Sequence, residues 1–207
     1  MTDKKYIAQQ SAHLFKNYGI RSNTMDDVAR ELGISKKTLY QHVEDKEELI
    51  RLVVEAEKHH VTQHINQSLR DSVNAIEALI RINIFIVRFL QGINPAAVND
   101  LRKHFKPIHQ EAKEEFQALF YGVIKQNLVS GKQNGLYRDD INVDFITQLH
   151  TDRINKMQES DGLWGPNAAS PDIIKEMTNY YIRGLITEKG ESVLNKHIVE
   201  FNKYLNE

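Results

Sequence analysis

Apolar residues return at steps of three and four along almost the whole chain, the period of an α-helix with one buried face. In the first segment Ile7, Ser11, Leu14, Phe15 and Tyr18 form such a face, and Gly19 supplies a C-terminal stop. Met25, Val28, Ala29 and Leu32 form a second, short face that ends at Gly33. Thr24 precedes it with Asp27 three residues on, close to a capping box, and Asp26 and Asp27 suit the positive end of that helix. Ser35 is placed to cap a third short helix, from Lys36 to roughly Val43. Glu44-Asp45-Lys46 breaks it, and a longer helix runs from Lys46 through Leu49, Ile50, Val53, Val61 and Ile65. Two short helices joined by a glycine turn, flanked by longer ones, have the layout of a helix-turn-helix.

The same period continues downstream. Ser72 to Leu90 predicts a strongly apolar helix, buried on most sides. Asn94-Pro95 starts a short helix over Val98 and Leu101, and Pro107 starts another that reaches Leu128. Gly131 to Arg138 reads as a turn-rich linker, and Val143 to about Met157 as a helix. Ser160 to Ala169 reads as an irregular loop. Ser170-Pro171-Asp172 then opens a helix that carries Ile173, Met177, Tyr180, Tyr181, Gly184, Leu185 and Ile186 and stops near Gly190. A last helix covers Val193, Leu194, Ile198, Phe201 and Leu205. Strand-like alternation is scarce, and no repeat of solenoid length is present. The expected fold is all-α, with about nine to ten helices: an N-terminal three-helix helix-turn-helix head over 1–47 and a C-terminal helical bundle over 48–207.

Composition narrows the possibilities. At 207 residues, 41% hydrophobic and 27% charged, the chain can bury a sizeable core. Cysteine is absent, which excludes a disulfide scaffold, a thiol nucleophile and a Cys-ligated zinc site. The most apolar run, Ile76 to Leu90, is interrupted by Glu77, Arg81, Asn83 and Arg88, too polar for a membrane span. Thr2 to Tyr6 lacks the apolar core of a signal peptide, so the expected location is cytoplasmic, with no membrane partner. A net charge of −1 does not announce a nucleic-acid binder, and residues 1–50 hold eight Lys/Arg against eight Asp/Glu. Any such role rests on a local patch. There is no glycine-rich phosphate loop, no Gly-x-Ser-x-Gly elbow and no His-Glu-x-x-His, so the chain does not read as an enzyme and no cofactor is expected.

Residues 12–49 carry a denser signal. Leu14-Phe15, Gly19, Thr24, Val28-Ala29, Leu32-Gly33-Ile34-Ser35, Thr38-Leu39-Tyr40, His42 and Lys46 stand at the spacing of the DNA-binding head of the tetracycline-repressor (TetR) family, and the segment resembles that head. The residues also make sense by themselves. Ala29 is small where two helices cross, and Gly33 turns the chain without a Cβ cost. Leu32, Ile34, Leu39 and Val43 hold the short third helix, whose other face offers Lys36, Lys37, Thr38, Gln41 and His42 with no acid among them. Such a helix enters the major groove and reads base edges near its N-terminus. The resemblance implies Lys36, Lys37 and Thr38 at or near base edges and Tyr40 and His42 on phosphates. It also implies Thr24 and Lys46 as backbone clamps; Ser35 and Gln41 complete the expected DNA-binding set.

The resemblance further implies a ligand-responsive regulator, by default a repressor, that binds a palindromic operator in double-stranded DNA as a homodimer and is released by a small hydrophobic effector. Dimeric readers of this kind span half-sites about 34–36 Å apart. Tyr180, Tyr181 and Gly184 are candidate seam residues, tyrosine giving area with a polar tip. For the effector, Phe85, Phe89, His104, Phe105, Phe116, Phe120 and His150 are candidate contacts, since bundle cavities are common ligand sites. His60 and His64 lie four apart on one helix, a spacing that can share a metal, but no local acid completes a site and none is expected. The alternative readings are a helical protein-interaction adaptor and, further off, a ligand-binding bundle with enzymatic activity.

Overall fold

A computed structural model describes residues 3–157 and 171–196. Its named helices are α1 (Lys4–Tyr18), α2 (Met25–Glu31), α3 (Lys36–Tyr40), α4 (Lys46–Asp71), α5 (Ala75–Gln91), α6 (Pro95–His104), α7 (Lys106–Gln133), α8 (Val143–Met157) and α9 (Pro171–Arg183). A further helical stretch covers 188–196. Among the described residues no strand forms; one isolated antiparallel bridge pairs Tyr137 with Ile186. None of the described helices is long and apolar enough to cross a membrane.

The helix ends follow local chemistry. Asp3 caps α1 by accepting the Tyr6 N–H at 2.8 Å, and Gly19 closes it at φ 81°. Thr24 and Asp27 make the full capping box of α2, each side chain accepting the other's backbone N–H. Gly33, at φ 65°, closes α2, and the Ile34 N–H reaches back to Ala29 O at 3.0 Å. Asn94 caps α6 and Pro95 takes its first position.

Three sequence expectations shift. The third helix ends at Tyr40, and residues 41 and 42 continue as tight turns from Thr38 and Leu39. Gly131 is not in a linker but in the last turn of α7, and the turn falls at Asn134-Gly135. The glycine is needed there because a Cβ would lie 2.1 Å from the Tyr137 ring. The helix from Pro171 ends at Arg183 rather than near Gly190. Leu185 O accepts the Arg138 N–H and Leu136 O the Thr187 N–H, so 185–187 are drawn into extended pairing. The expected loop over 160–169, the Ser170 cap and the helical positions Ile198, Phe201 and Leu205 lie outside the described residues.

The chain forms two compact units: Met1–Gln63 with Gly92–Phe116, and His64–Gln91 with Gln117–Glu207. The first has a core of Ile7, Leu14, Phe15, Val28, Leu32, Leu39, Val43, Leu49 and Ile50, to which Ala97 and Ile108 add from the later segment. The second buries Ile76, Leu79, Phe120, Ile124, Leu128, Tyr137, Ile154 and Ile182.

Candidate nucleic-acid interface

The third helix has one buried anchor, Leu39 at 0% exposure, and Val43 just past its end is also buried. With these two held in the core, the opposite side faces outward. Ser35, Lys36, Lys37, Tyr40 and Gln41 are exposed, while Thr38, His42 and Lys46 are half-buried. The expected DNA-binding residues are thus brought together on and beside one short helix, with Thr24 exposed at the start of α2.

Several of these side chains already have partners. Ser35 Oγ accepts the Thr38 N–H at 3.0 Å and lies 2.8 Å from Thr38 Oγ1, so this pair builds the cap of α3. Thr24 Oγ1 donates to Asp27 at 2.6 Å. Lys36 Nζ pairs with Asp26 at 2.9 Å, and the hydrogen bond and charge of that carboxylate raise the Lys36 pKa above the ordinary lysine value. Lys46 Nζ donates to Asn23 O at 2.6 Å. Burial lowers the Lys46 pKa, against the pull of Asp100 and Asp27. Lys46 therefore ties the start of α4 to the turn before α2.

That turn has a second tie, which the sequence did not announce. Asp100, on α6, accepts the N–H groups of Ile20 and Arg21 at 3.0 and 2.8 Å, just after Gly19. Asn23 is itself buried and donates to Gly19 O at 2.6 Å. Residues 19–23 thus hold α2 and α3 against α1, α4 and α6. Neither Asp26 beside Lys36 nor Asp100 beneath the turn has a period or motif to mark it.

A short pair of capped helices, anchored by one leucine and showing a polar, cation-bearing face, has the geometry of a helix-turn-helix reader. A family model described as bacterial regulatory proteins, tetR family, matches residues 7–53, the segment just described. Residues 7–53 are thus similar to the N-terminal segment of the tetR family. Over 193 residues the chain is 24% identical to an HTH-type transcriptional regulator of Bacillus subtilis, YvaF, covering 90% of this chain and 97% of that one. A transcriptional regulator from Cytophaga hutchinsonii superposes with a TM-score of 0.67 at 21% identity, covering 87% and 97% of the two chains. A ketosteroid transcriptional regulator of Mycobacterium tuberculosis superposes at 0.60 and 18% identity, covering 89% and 95%.

The residues expected for the effector are divided between the two units. His104 and Phe105 lie in the first unit, His104 exposed and Phe105 packed against the core of the head. Phe116 ends that unit's second segment. In the second unit Phe85 stacks on His64 at 4.6 Å and on Phe89 at 6.1 Å, while Phe120 and His150 are buried. The described residues contain no group of three His, Cys, Asp or Glu placed to hold a metal. A groove of about 200 Å³ between α4 and α7 is lined by Arg51, Val54, Glu55, Lys58, Ile108 and Glu111, among others. It is bridged by the Arg51–Glu111 pair and by Lys58–Glu115 at 2.7 Å, so it is a charged seam rather than an apolar pocket. The candidate seam residues differ among themselves: Tyr180 is 85% exposed, Tyr181 turns its ring onto His150, and Gly184 sits in a turn.

Proposed function

We propose that the chain binds a palindromic operator as a homodimer and is released from it by a small-molecule effector. The single observation that carries the DNA reading is the exposed side of α3, where Lys36, Lys37, Tyr40 and Gln41 project together while Leu39 is sealed in the core. Lys36, Lys37, Thr38 and Gln41 are assigned to base edges or their neighbourhood. Tyr40, His42, Ser35 and Thr24 are assigned to phosphates, which take most protein–DNA hydrogen bonds. Lys46 is assigned to backbone placement through Asn23.

The dimer reading is supported by α8 and α9. Phe145 and Leu149, one turn apart on α8, are 63% and 52% exposed, and Tyr180 on α9 is 85% exposed. Large apolar groups at such exposure suit a subunit seam, and two-fold dimers are the commonest oligomers. The ligand reading draws support from a structural neighbour titled a ketosteroid transcriptional regulator.

The test is fluorescence anisotropy with DNA from upstream of the protein's own gene. Lys37→Ala is expected to weaken binding and to relax the preference for the operator over unrelated DNA, as the loss of a base-edge contact requires. Tyr40→Phe is expected to weaken binding to all sequences alike. Unchanged binding in both single variants and in the double variant, at moderate salt, overturns the assignment.

A further inference from the structure

In the second unit, polar side chains from α5, α8 and α9 meet in the interior. Asn83 is 3% exposed, His150 1% and Thr178 1%. Arg153 donates through Nη2 to Asn83 Oδ1 at 2.9 Å and reaches His150 Nε2 at 3.4 Å. The Tyr181 ring packs 4.2 Å from the His150 ring and 5.9 Å from the Arg153 guanidinium. Thr178 lies one turn before Tyr181 on α9.

The cluster is out of balance in a specific way. A guanidinium only donates, so His150 Nε2 must accept, and in the neutral ring the proton sits on Nδ1. Burial, with Arg153 adding its charge, keeps that ring neutral by lowering its pKa well below the ordinary histidine value. Four buried groups then have no partner among the described residues: His150 Nδ1, Arg153 Nε, Thr178 Oγ1 and Tyr181 OH. All four can donate. Among the described residues, the one side-chain oxygen in contact with the guanidinium is the amide of Asn83, and no carboxylate pairs with it. Buried polar groups are ordinarily satisfied and buried charges ordinarily paired. A half-buried guanidinium whose Nε is enclosed, beside unmatched donors on His150 and Tyr181, is the complement of an anion with several acceptor sites.

We infer that Arg153, His150, Tyr181 and Thr178 form the head-group site of the effector, and that this effector is a small organic acid whose carboxylate they hold. Asn83 positions the guanidinium from behind. The acid's body is apolar: the buried residues beside these along the three helices are Ile82, Ile84, Ile86, Ile154 and Ile182. Of these, sequence reasoning offered His150 as an effector contact and Tyr181 as a seam residue. The inference rests on the ligand-responsive reading above and narrows its effector from hydrophobic to acidic.

The test uses the full-length protein and matched probes: octanoate, decanoate and dodecanoate, each against its methyl ester and the corresponding primary amine. Calorimetry and thermal shift are expected to show the acids binding about 10- to 100-fold tighter than esters or amines, the scale of losing a charge-assisted contact. Arg153→Gln and Tyr181→Phe are expected to remove that preference. Without any acid present, Arg153→Met is expected to melt at or above the wild-type temperature, because it removes an unmatched charge. A fall of more than about 4 °C in Arg153→Met would show that the protein supplies the counter-charge itself, and overturns the site. Equal binding of acid and ester, or no binding across the series, overturns it too. DNA release separates the two claims: acids that bind selectively but leave DNA affinity unchanged sustain the site and sink the ligand-release reading. Neutral compounds that release DNA while acids show no preference do the reverse.

Discussion

Asp100 gives the sharpest test of how the head is held. Its Oδ2 accepts two backbone N–H groups, from Ile20 in a half-buried place and from Arg21 at the surface. Asp100→Ala leaves both donors without that acceptor. Water can reach Arg21, so its loss is small, whereas Ile20 loses a charge-assisted bond with less access to water. Bonds of that kind contribute about 1.5–3 kcal/mol, so the combined loss should be about 2 kcal/mol. For a chain of this size that corresponds to a fall in Tm of roughly 4–8 °C. Asp100→Asn keeps an acceptor but not the charge and should lose about half as much. Urea unfolding followed by circular dichroism measures the energy, and hydrogen exchange at the Ile20 and Arg21 amides locates it. The turn seats α2 and α3, so operator affinity should fall as well, with the salt slope unchanged because no phosphate contact is removed. A stability change below about 0.5 kcal/mol, together with unaltered exchange at Ile20, would refute the claim that α6 secures the reading head.

Glycine-to-alanine substitutions at two sites of α7 should have opposite signs. Gly122 has open space around it and should gain about 0.5–1 kcal/mol in helix propensity. Gly131→Ala drives a Cβ into the Tyr137 ring, which is held by Tyr137 OH donating to Asn127 Oδ1 at 2.9 Å, and should cost about 1–3 kcal/mol; equal effects in a denaturation series would refute this. Acidification should weaken the fold between pH 6.5 and 5.5. The His150 pKa lies below that of the unfolded chain, which therefore binds a proton the folded one refuses. Stability is unaffected above pH 6.5 and falls below it by at most about 1.4 kcal/mol per unit. His150→Gln should flatten most of that slope in Tm against pH, leaving the smaller same-sign contribution of His109, also lowered by burial. Leu149→Lys and Tyr180→Glu should shift sedimentation toward monomer at micromolar concentration, while a strict monomer in the wild type would exclude the seam.

The helices were legible because their signals are local. Thr24 with Asp27, Ser35 with Thr38, and Asn94 with Pro95 fix helix starts within four residues, and each forms as the sequence implies. The reading face of α3 follows from Leu39 alone, since one buried position orients a five-residue helix. What escaped is non-local. Asp100 acts on residues about eighty positions away, and Gly131 looked like a loop glycine because the ring that demands it comes six residues later. The arginine of the buried polar cluster escaped for a related reason. A charged residue at helical spacing reads as a solvated face until the partner helices are known. Phe105, apolar and well spaced, packs against the core of the head, a placement that its spacing alone does not reveal.

The near-zero charge of the head becomes clearer once five of its eight acids are located. Asp3, Asp27 and Asp45 accept backbone N–H groups at the starts of α1, α2 and α4, where the helix end is positive. Glu48 accepts the Glu44 N–H and pairs with Lys4 at 3.0 Å. Those carboxylates act inside the head's own framework, whereas Asp26 pairs with Lys36 on the exposed side of α3. Lys37, by contrast, has no ion pair among the described residues. Net charge thus measures how the head is capped, whereas the proposed DNA contact depends on which few cations remain on one side of α3. It follows that Asp26→Asn, which frees Lys36 without touching any cap, should strengthen DNA binding. A mutation of equal charge at Asp3 should leave it unchanged; if both variants bind alike, bulk charge rather than placement governs the interface.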